Sequence, residues 1–203
     1  MTAGNDKLRG RGTLASWISN IRRVGGVAGI IYIVLFVAGV VLQGDTPGVD
    51  ADAATIRDFV TDGDKSNLYL VGDWLIGLGF VVFFLPFLSA LRNVLAVGDP
   101  AGGMWARAAF AGGILLMAAG LAASLGFGAL ALTGAEGMED DTLLYANGVM
   151  AYAFGMSIPM AIAAFLVPAS LVIAASGVFW RWLGWAGLVI ALLNLVGSLW
   201  VIG

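Results

Sequence analysis

Residues 66–91 read SNLYLVGDWLIGLGFVVFFLPFLSAL, and Asp73 is the one charged residue among them. An α-helix rises 1.5 Å per residue, so about 20 apolar residues cross the roughly 30 Å of bilayer hydrocarbon. The stretch is long enough, and it lacks the strict alternation of a barrel strand. It reads as a transmembrane helix. Runs without charge at 24–44, 108–135, 142–180 and 182–203 add four more. The predicted spans are 24–44, 67–91, 107–133, 144–175 and 183–202, in a single membrane domain of residues 13–203 behind a disordered cytoplasmic tail, 1–12. The expected fold class is all-α, an integral membrane bundle of five transmembrane helices.

Composition points the same way. Of 203 residues, 60% are hydrophobic and 11% charged, where a soluble chain carries about 25% charged residues. There is no histidine and no cysteine. That removes His-ligated haem, Cys–His zinc, iron–sulfur clusters, disulfides and His- or Cys-based catalysis. The only lysines, Lys7 and Lys65, lie outside the apolar runs, which removes a buried retinal-type Schiff base. Serines such as Ser124, Ser157 and Ser170 have no histidine to activate them, and no glycine-rich phosphate loop with lysine occurs. No cofactor, metal site or catalytic group is expected, and no nucleic-acid partner.

Lys and Arg placement sets the orientation, because cytoplasmic flanks are enriched in bases. With the N-terminus inside, Lys7, Arg9, Arg11, Arg22, Arg23, Arg92, Arg107 and Arg181 fall on the inner side. The outer connections then hold Asp45, Asp50, Asp52, Asp58, Asp62, Asp64, Glu136, Glu139, Asp140 and Asp141, with only Arg57 and Lys65. The expectation is N-in, C-out in a plasma membrane, with the first span an uncleaved signal anchor. Trp105, Trp180, Trp182 and Trp185 gather at the inner boundary and Trp74 and Trp200 near the outer one, as interfacial belts do. Residues 142–180 exceed one span and contain Pro159 and Pro168. They read as one long kinked helix, or else as a hairpin broken near residues 155–159.

Two shorter helices are expected outside the hydrocarbon. Leu14, Trp17, Ile18 and Ile21 share one helical face ahead of Arg22 and Arg23. Residues 13–23 therefore read as an inner-leaflet interfacial helix anchored by Trp17, Arg22 and Arg23, or as a docking helix for a partner. In the first outer connection, Asp50 or Asp52 can cap a helix whose apolar face is Ala53, Ile56, Phe59 and Val60, with Gly63 ending it. The aspartates here lack the spacing of a calcium loop.

Small residues recur four apart at Gly25 and Gly29, Ala108 and Gly112, Ala109 and Gly113, Ser124 and Gly128, and Ala151 and Gly155. Such faces let helix backbones approach closely, within a bundle or against another subunit. The Gly- and Ala-rich third span is expected at the centre. An ionisable residue within a span is costly, so Asp73 is the candidate ligand or ion site. Tyr69 lies one turn before it, and Asn147 and Tyr152 lie at similar depth in the fourth span. These four are expected to line a small polar cavity open to the outside. Asn194, near the middle of the fifth span, is expected to bond a neighbouring helix.

The stretches GIIYIVLFVAGVVL at 29–42, DAATIRDF at 52–59, FLSALR at 87–92 and RWLGWAGL at 181–188 give the chain a resemblance to uncharacterised actinobacterial multi-pass membrane proteins. The resemblance implies a bacterial membrane protein and carries no activity, substrate or site residue. Two functions are expected. The favoured one is a non-catalytic accessory or structural subunit, held in a larger assembly or a self-association by its small-residue faces. The alternative is a small transporter or channel-like protein with Asp73 as its proton or cation site. The bilayer itself is the certain partner of either.

Overall fold

The computed structural model describes residues 5–199, with side chains at Asn20 and from Arg23 onward. Nine α-helices and two π-helical segments make up the described chain, which contains no strand. Five stretches are long and apolar enough to cross a membrane: Arg23–Gln43, Gly63–Gly98, Met104–Thr133, Asp140–Ser176 and Arg181–Ser198.

The first helix, α1 (Asn5–Gln43), runs without interruption. Its backbone passes through residues 13–23 directly into the first span, with no proline between the two segments. Trp17 and Arg22 lie outside the described side chains, and Arg23 is exposed.

The second span joins α3 (Gly63–Leu78) to α4 (Leu85–Gly98) through a π-helical segment, Gly79–Phe84. The fourth joins α7 (Asp140–Tyr152) to α8 (Ile158–Ser176) through another, Ala153–Ser157. Both π segments end two residues before a proline, Pro86 and Pro159. Proline offers no N–H and its ring crowds the carbonyl four residues back. A wider turn with bonds to the fifth residue relieves this, as where the Ile158 N–H donates to the Ala153 carbonyl. The wide turn explains why the fourth run stays continuous through residues 155–159 rather than folding back as a hairpin. Pro168 sits inside α8.

The third span comprises α5 (Met104–Ala123) and α6 (Leu125–Thr133), which meet at Ser124, whose hydroxyl donates to the Leu121 carbonyl at 3.1 Å. The last helix is α9 (Arg181–Ser198). Helix α5 is central, packing on α4 and α8. Helix α1 packs on α3 and α4 at one side of the bundle, and α9 packs on α8 at the other.

Close backbone approaches hold these contacts. A Cβ on Gly25 would meet Ala90, one on Gly113 the Leu88 side chain, and one on Gly112 the backbone of Ala164 and Phe165. A Cβ on Gly29 would stand 2.8 Å from the Phe87 ring, and Ala109 is buried with Leu95, Ala106, Ala169 and Val172. Ala108 and Ala151 are half-buried, and Gly155 lies in the second π segment. Two approaches come from residues outside the predicted stripes. Gly39 on α1 and Gly72 on α3 face each other's carbonyl oxygens, and an added Cβ would stand 2.6 and 2.5 Å from them. Gly184 and Gly187 seat α9 against Ser170 of α8. Asn194, by contrast, bonds its own helix, at the Ile190 carbonyl (2.9 Å), and not a neighbour.

One end of the bundle carries a cap, α2 (Ala53–Thr61), which packs on α3, α6 and α7. Asp52 starts α2 by accepting the Thr55 N–H at 2.8 Å. Asp62 ends it and also starts α3, accepting the Asp64 and Lys65 N–H groups. Gly63 is therefore the first residue of α3 rather than the stop for α2. Ile56, Phe59 and Val60 bury into a cluster with Tyr69, Phe127, Leu130, Leu143 and Met150. Arg57 crosses the cap. Its guanidinium donates to the Ala135 carbonyl (2.7 Å), the Met138 carbonyl (3.0 Å) and the Asp140 carboxylate (2.7 Å).

At the opposite end, Asp99 accepts the N–H groups of Ala101 (2.9 Å) and Ala106 (3.0 Å). It thereby caps α5 from the preceding turn, where Gly102 and Gly103 take positive φ. Trp180, Trp182 and Trp185 stand exposed at this end, as does Arg181. Among the described side chains, Arg57 and Lys65 lie with the acids of the capped end, and Arg181 and Asp99 lie at the opposite one.

Candidate functional site

The site is built from four helical stripes. On α1, Tyr32, Phe36, Val40 and Gln43 recur at near-fourfold spacing. Tyr69, Asp73 and Ile76 on α3 continue to Phe80 in the first π segment. On α5, Leu116 and Gly120 lead to Ser124 at its end, and Phe154 in the second π segment leads to Ile158 and Ile162 of α8. Residues three and four apart share a helix face, so each element presents one continuous stripe. The four stripes enclose a cavity of about 260 Å³.

The Gly39–Gly72 crossing positions the carboxylate. Two glycines let α1 and α3 approach at backbone distance, and Asp73 follows Gly72 directly. Asp73 therefore enters the space beside α1 instead of being spaced from it by side chains. Gly128 leaves room on the other side, since an added Cβ would stand 3.9 Å from the Asp73 Oδ2. A shallower groove, lined by Trp74, Gly77 and Leu121 among others, also reaches Asp73 and Ser124. Gln43, Ser124, Tyr32 and Tyr69 are the other polar side chains on the cavity wall.

Aromatic rings dominate the remaining wall. Tyr32 lies 5.3 Å from Phe80, centroid to centroid, and Phe36 meets Phe80 edge-on at 6.4 Å. Phe80 in turn packs over Gly120, with ring atoms 2.9 Å from where a Cβ would be. Tyr69 stacks edge-on against Phe127 at 5.0 Å and reaches the Met150 sulfur with its hydroxyl at 3.9 Å.

Of the four residues expected to share a polar cavity, Asp73 and Tyr69 do so. Asn147 and Tyr152 do not. Asn147 is 1% exposed and lies beneath the cap, donating to the Gly48 carbonyl at 2.8 Å, while its Oδ1 finds no protein partner. Tyr152 points away from the bundle and is 53% exposed. The expected opening toward the capped end is also replaced. There the Phe59, Tyr69 and Phe127 rings and their aliphatic neighbours form a dry layer. The sides of the cavity are less covered. Helices α1 and α8 both line it but hardly touch each other, and Phe36, Val40 and Phe154 on its wall are exposed at the bundle surface.

Sequence reasoning missed Tyr32, Phe36, Phe80 and Phe154 as wall residues, although their spacing relative to Gln43, Asp73 and Ile158 is legible once one residue of each stripe is known. It also missed Arg57 as a clamp, for which the sequence carries no local signal. No protein-family model, curated protein or solved structure matches the chain.

Proposed function

We propose that the protein is a small membrane protein that binds, and by binding moves, a cationic solute or proton at Asp73. One observation carries this. Asp73 is the one charged residue inside an apolar run, and it lines a cavity between the helices. A charged side chain within a span costs about 2.5–3.5 kcal/mol on insertion scales. A cavity of predominantly apolar wall with a few convergent polar groups is the ordinary form of a small-molecule site. The role favoured from the sequence, an accessory subunit in a larger assembly, drew its support from the small-residue faces. Gly25, Gly29, Ala109, Gly112 and Gly113 pack against neighbours within the chain, which accounts for part of those faces without a partner.

The test is Asp73→Asn in protein reconstituted into liposomes, with proton, sodium, potassium and organic-cation binding and flux followed side by side. Loss of one of these activities with retained folding is the expected result. If binding, flux and thermal stability are all the same in the variant, Asp73 has no such function.

A further inference from the structure

We propose that the Asp73 cavity takes a small lipophilic organic cation, an aromatic or alkyl ammonium compound, which enters from the hydrocarbon between α1 and α8. This ligand class presupposes that Asp73 is a cation site and adds what the cation must look like.

The wall chemistry selects it. A hard metal cation needs about six oxygen ligands, and the cavity wall offers one carboxylate with the amide of Gln43 and the hydroxyls of Ser124 and Tyr32, spread over three helices, while the Tyr69 hydroxyl is turned to the Met150 sulfur. Among the described residues, no three acidic side chains converge to hold a metal. The rest of the surface is aliphatic or aromatic. Aromatic faces attract an ammonium group, more strongly when it is desolvated, and Tyr32, Phe36, Phe80 and Phe154 surround the space that Asp73 enters. One negative charge and a ring-lined wall complement one diffuse positive charge on an apolar body.

Size and access agree. An apolar cavity of about 150 Å³ holds benzene, so 260 Å³ accommodates one ring with a compact head group. The capped end is closed by a dry cluster. The uncovered side lies between α1 and α8, where Phe36, Val40 and Phe154 are exposed on the apolar flank of the bundle. A hydrated ion does not arrive through that flank, whereas an amphiphile dissolved in lipid does.

The full chain in lipid nanodiscs tests this with two probes of one shape. Benzyltrimethylammonium carries the charge, and neopentylbenzene replaces its nitrogen with carbon. Saturable stabilisation of the thermal midpoint by the cation alone, at matched membrane concentration, is expected. Asp73→Asn should weaken the cation roughly tenfold or more. Phe36→Leu and Phe154→Leu should each weaken it several-fold without making the neutral probe bind. Both ring positions are exposed, so these variants read the site even where Asp73→Asn fails to fold. Equal stabilisation by both probes, or unchanged cation affinity in the variants, overturns the proposal and marks the cavity as a neutral apolar pocket. Proton or sodium binding at Asp73 without benzyltrimethylammonium binding overturns the ligand class but leaves the cation site standing. Absence of every one of these ligands overturns both.

Discussion

Arg57 holds three partners from a segment about eighty residues away, two of them backbone carbonyls beyond the end of α6. Only a guanidinium, with its fixed fork of donors, reaches all three at once. Arg57→Ala should destabilise the protein by about 1–3 kcal/mol, because partly buried acceptors lose their donors, and Arg57→Lys should recover only part of it. Thermal unfolding in nanodiscs measures both. Three aspartates outside the spans make the ends acid-sensitive. Hydrogen bonding from the Thr55 hydroxyl and N–H holds the Asp52 carboxyl below its ordinary range. Bonds from Lys65, first, and its positive charge do the same for Asp62. At Asp99 desolvation pushes the other way, but the Ala106, Ala101 and Trp105 N–H groups and the Arg107 charge outweigh it. A carboxyl depressed on folding contributes stability that is full above the unfolded value near 3.9 and is lost as pH falls through the lower folded value. Amide protection in the first turns of α2, α3 and α5, taken relative to the intrinsic exchange rate at each pH, should therefore fall below about pH 4. Asp52→Asn keeps a capping oxygen and should remove that dependence from α2 alone.

At the scale of elements, the Gly39–Gly72 crossing and the two π segments decide the shape of the site. Either Gly39→Ala or Gly72→Ala puts a methyl group against backbone, which cannot rotate away. Each should cost about 1–3 kcal/mol through forced separation of the helices and should abolish ligand binding at Asp73 as α1 moves off. Unfolding and binding measured on the same preparations separate a shifted site from an unfolded chain. The glycines themselves are plain in the sequence, but so are many others. Which ones meet depends on where α1 and α3 cross, a property of the pair. The prolines were equally visible, and a kink or a break was the local expectation at Pro159. A π turn absorbed it because the displaced carbonyl finds a donor one residue further on. That extra residue also turns the helix, which helps bring Phe154 to the cavity while Tyr152 faces away.

The described chain is a bundle whose capped end carries an excess of acids. The positive-inside tendency predicts that the capped end faces outward. Because the chain has no cysteine, single replacements report side directly. Val49→Cys and Glu136→Cys should react with a membrane-impermeant maleimide on intact cells, and Ala101→Cys only after the membrane is opened. The reverse pattern would invert the topology. Helix class, span number and the sorting of charge were legible because each depends on a property summed along the chain: the length of an apolar run, or the sign of the residues between runs. The order of Asp73, Tyr69, Asn147 and Tyr152 along their spans follows from 1.5 Å per residue. Their direction does not. Each residue turns a helix by about 100°, so the side that faces the bundle depends on neighbouring helices. Those neighbours place Asn147 under the cap and Tyr152 on the outer surface. The sequence alone thus determined a five-span helical protein with one intramembrane acid, since hydrophobic burial and charge exclusion act on runs of residues. Tertiary structure alone decided that this acid borders an aromatic-lined cavity, since that requires four stripes from distant segments to meet.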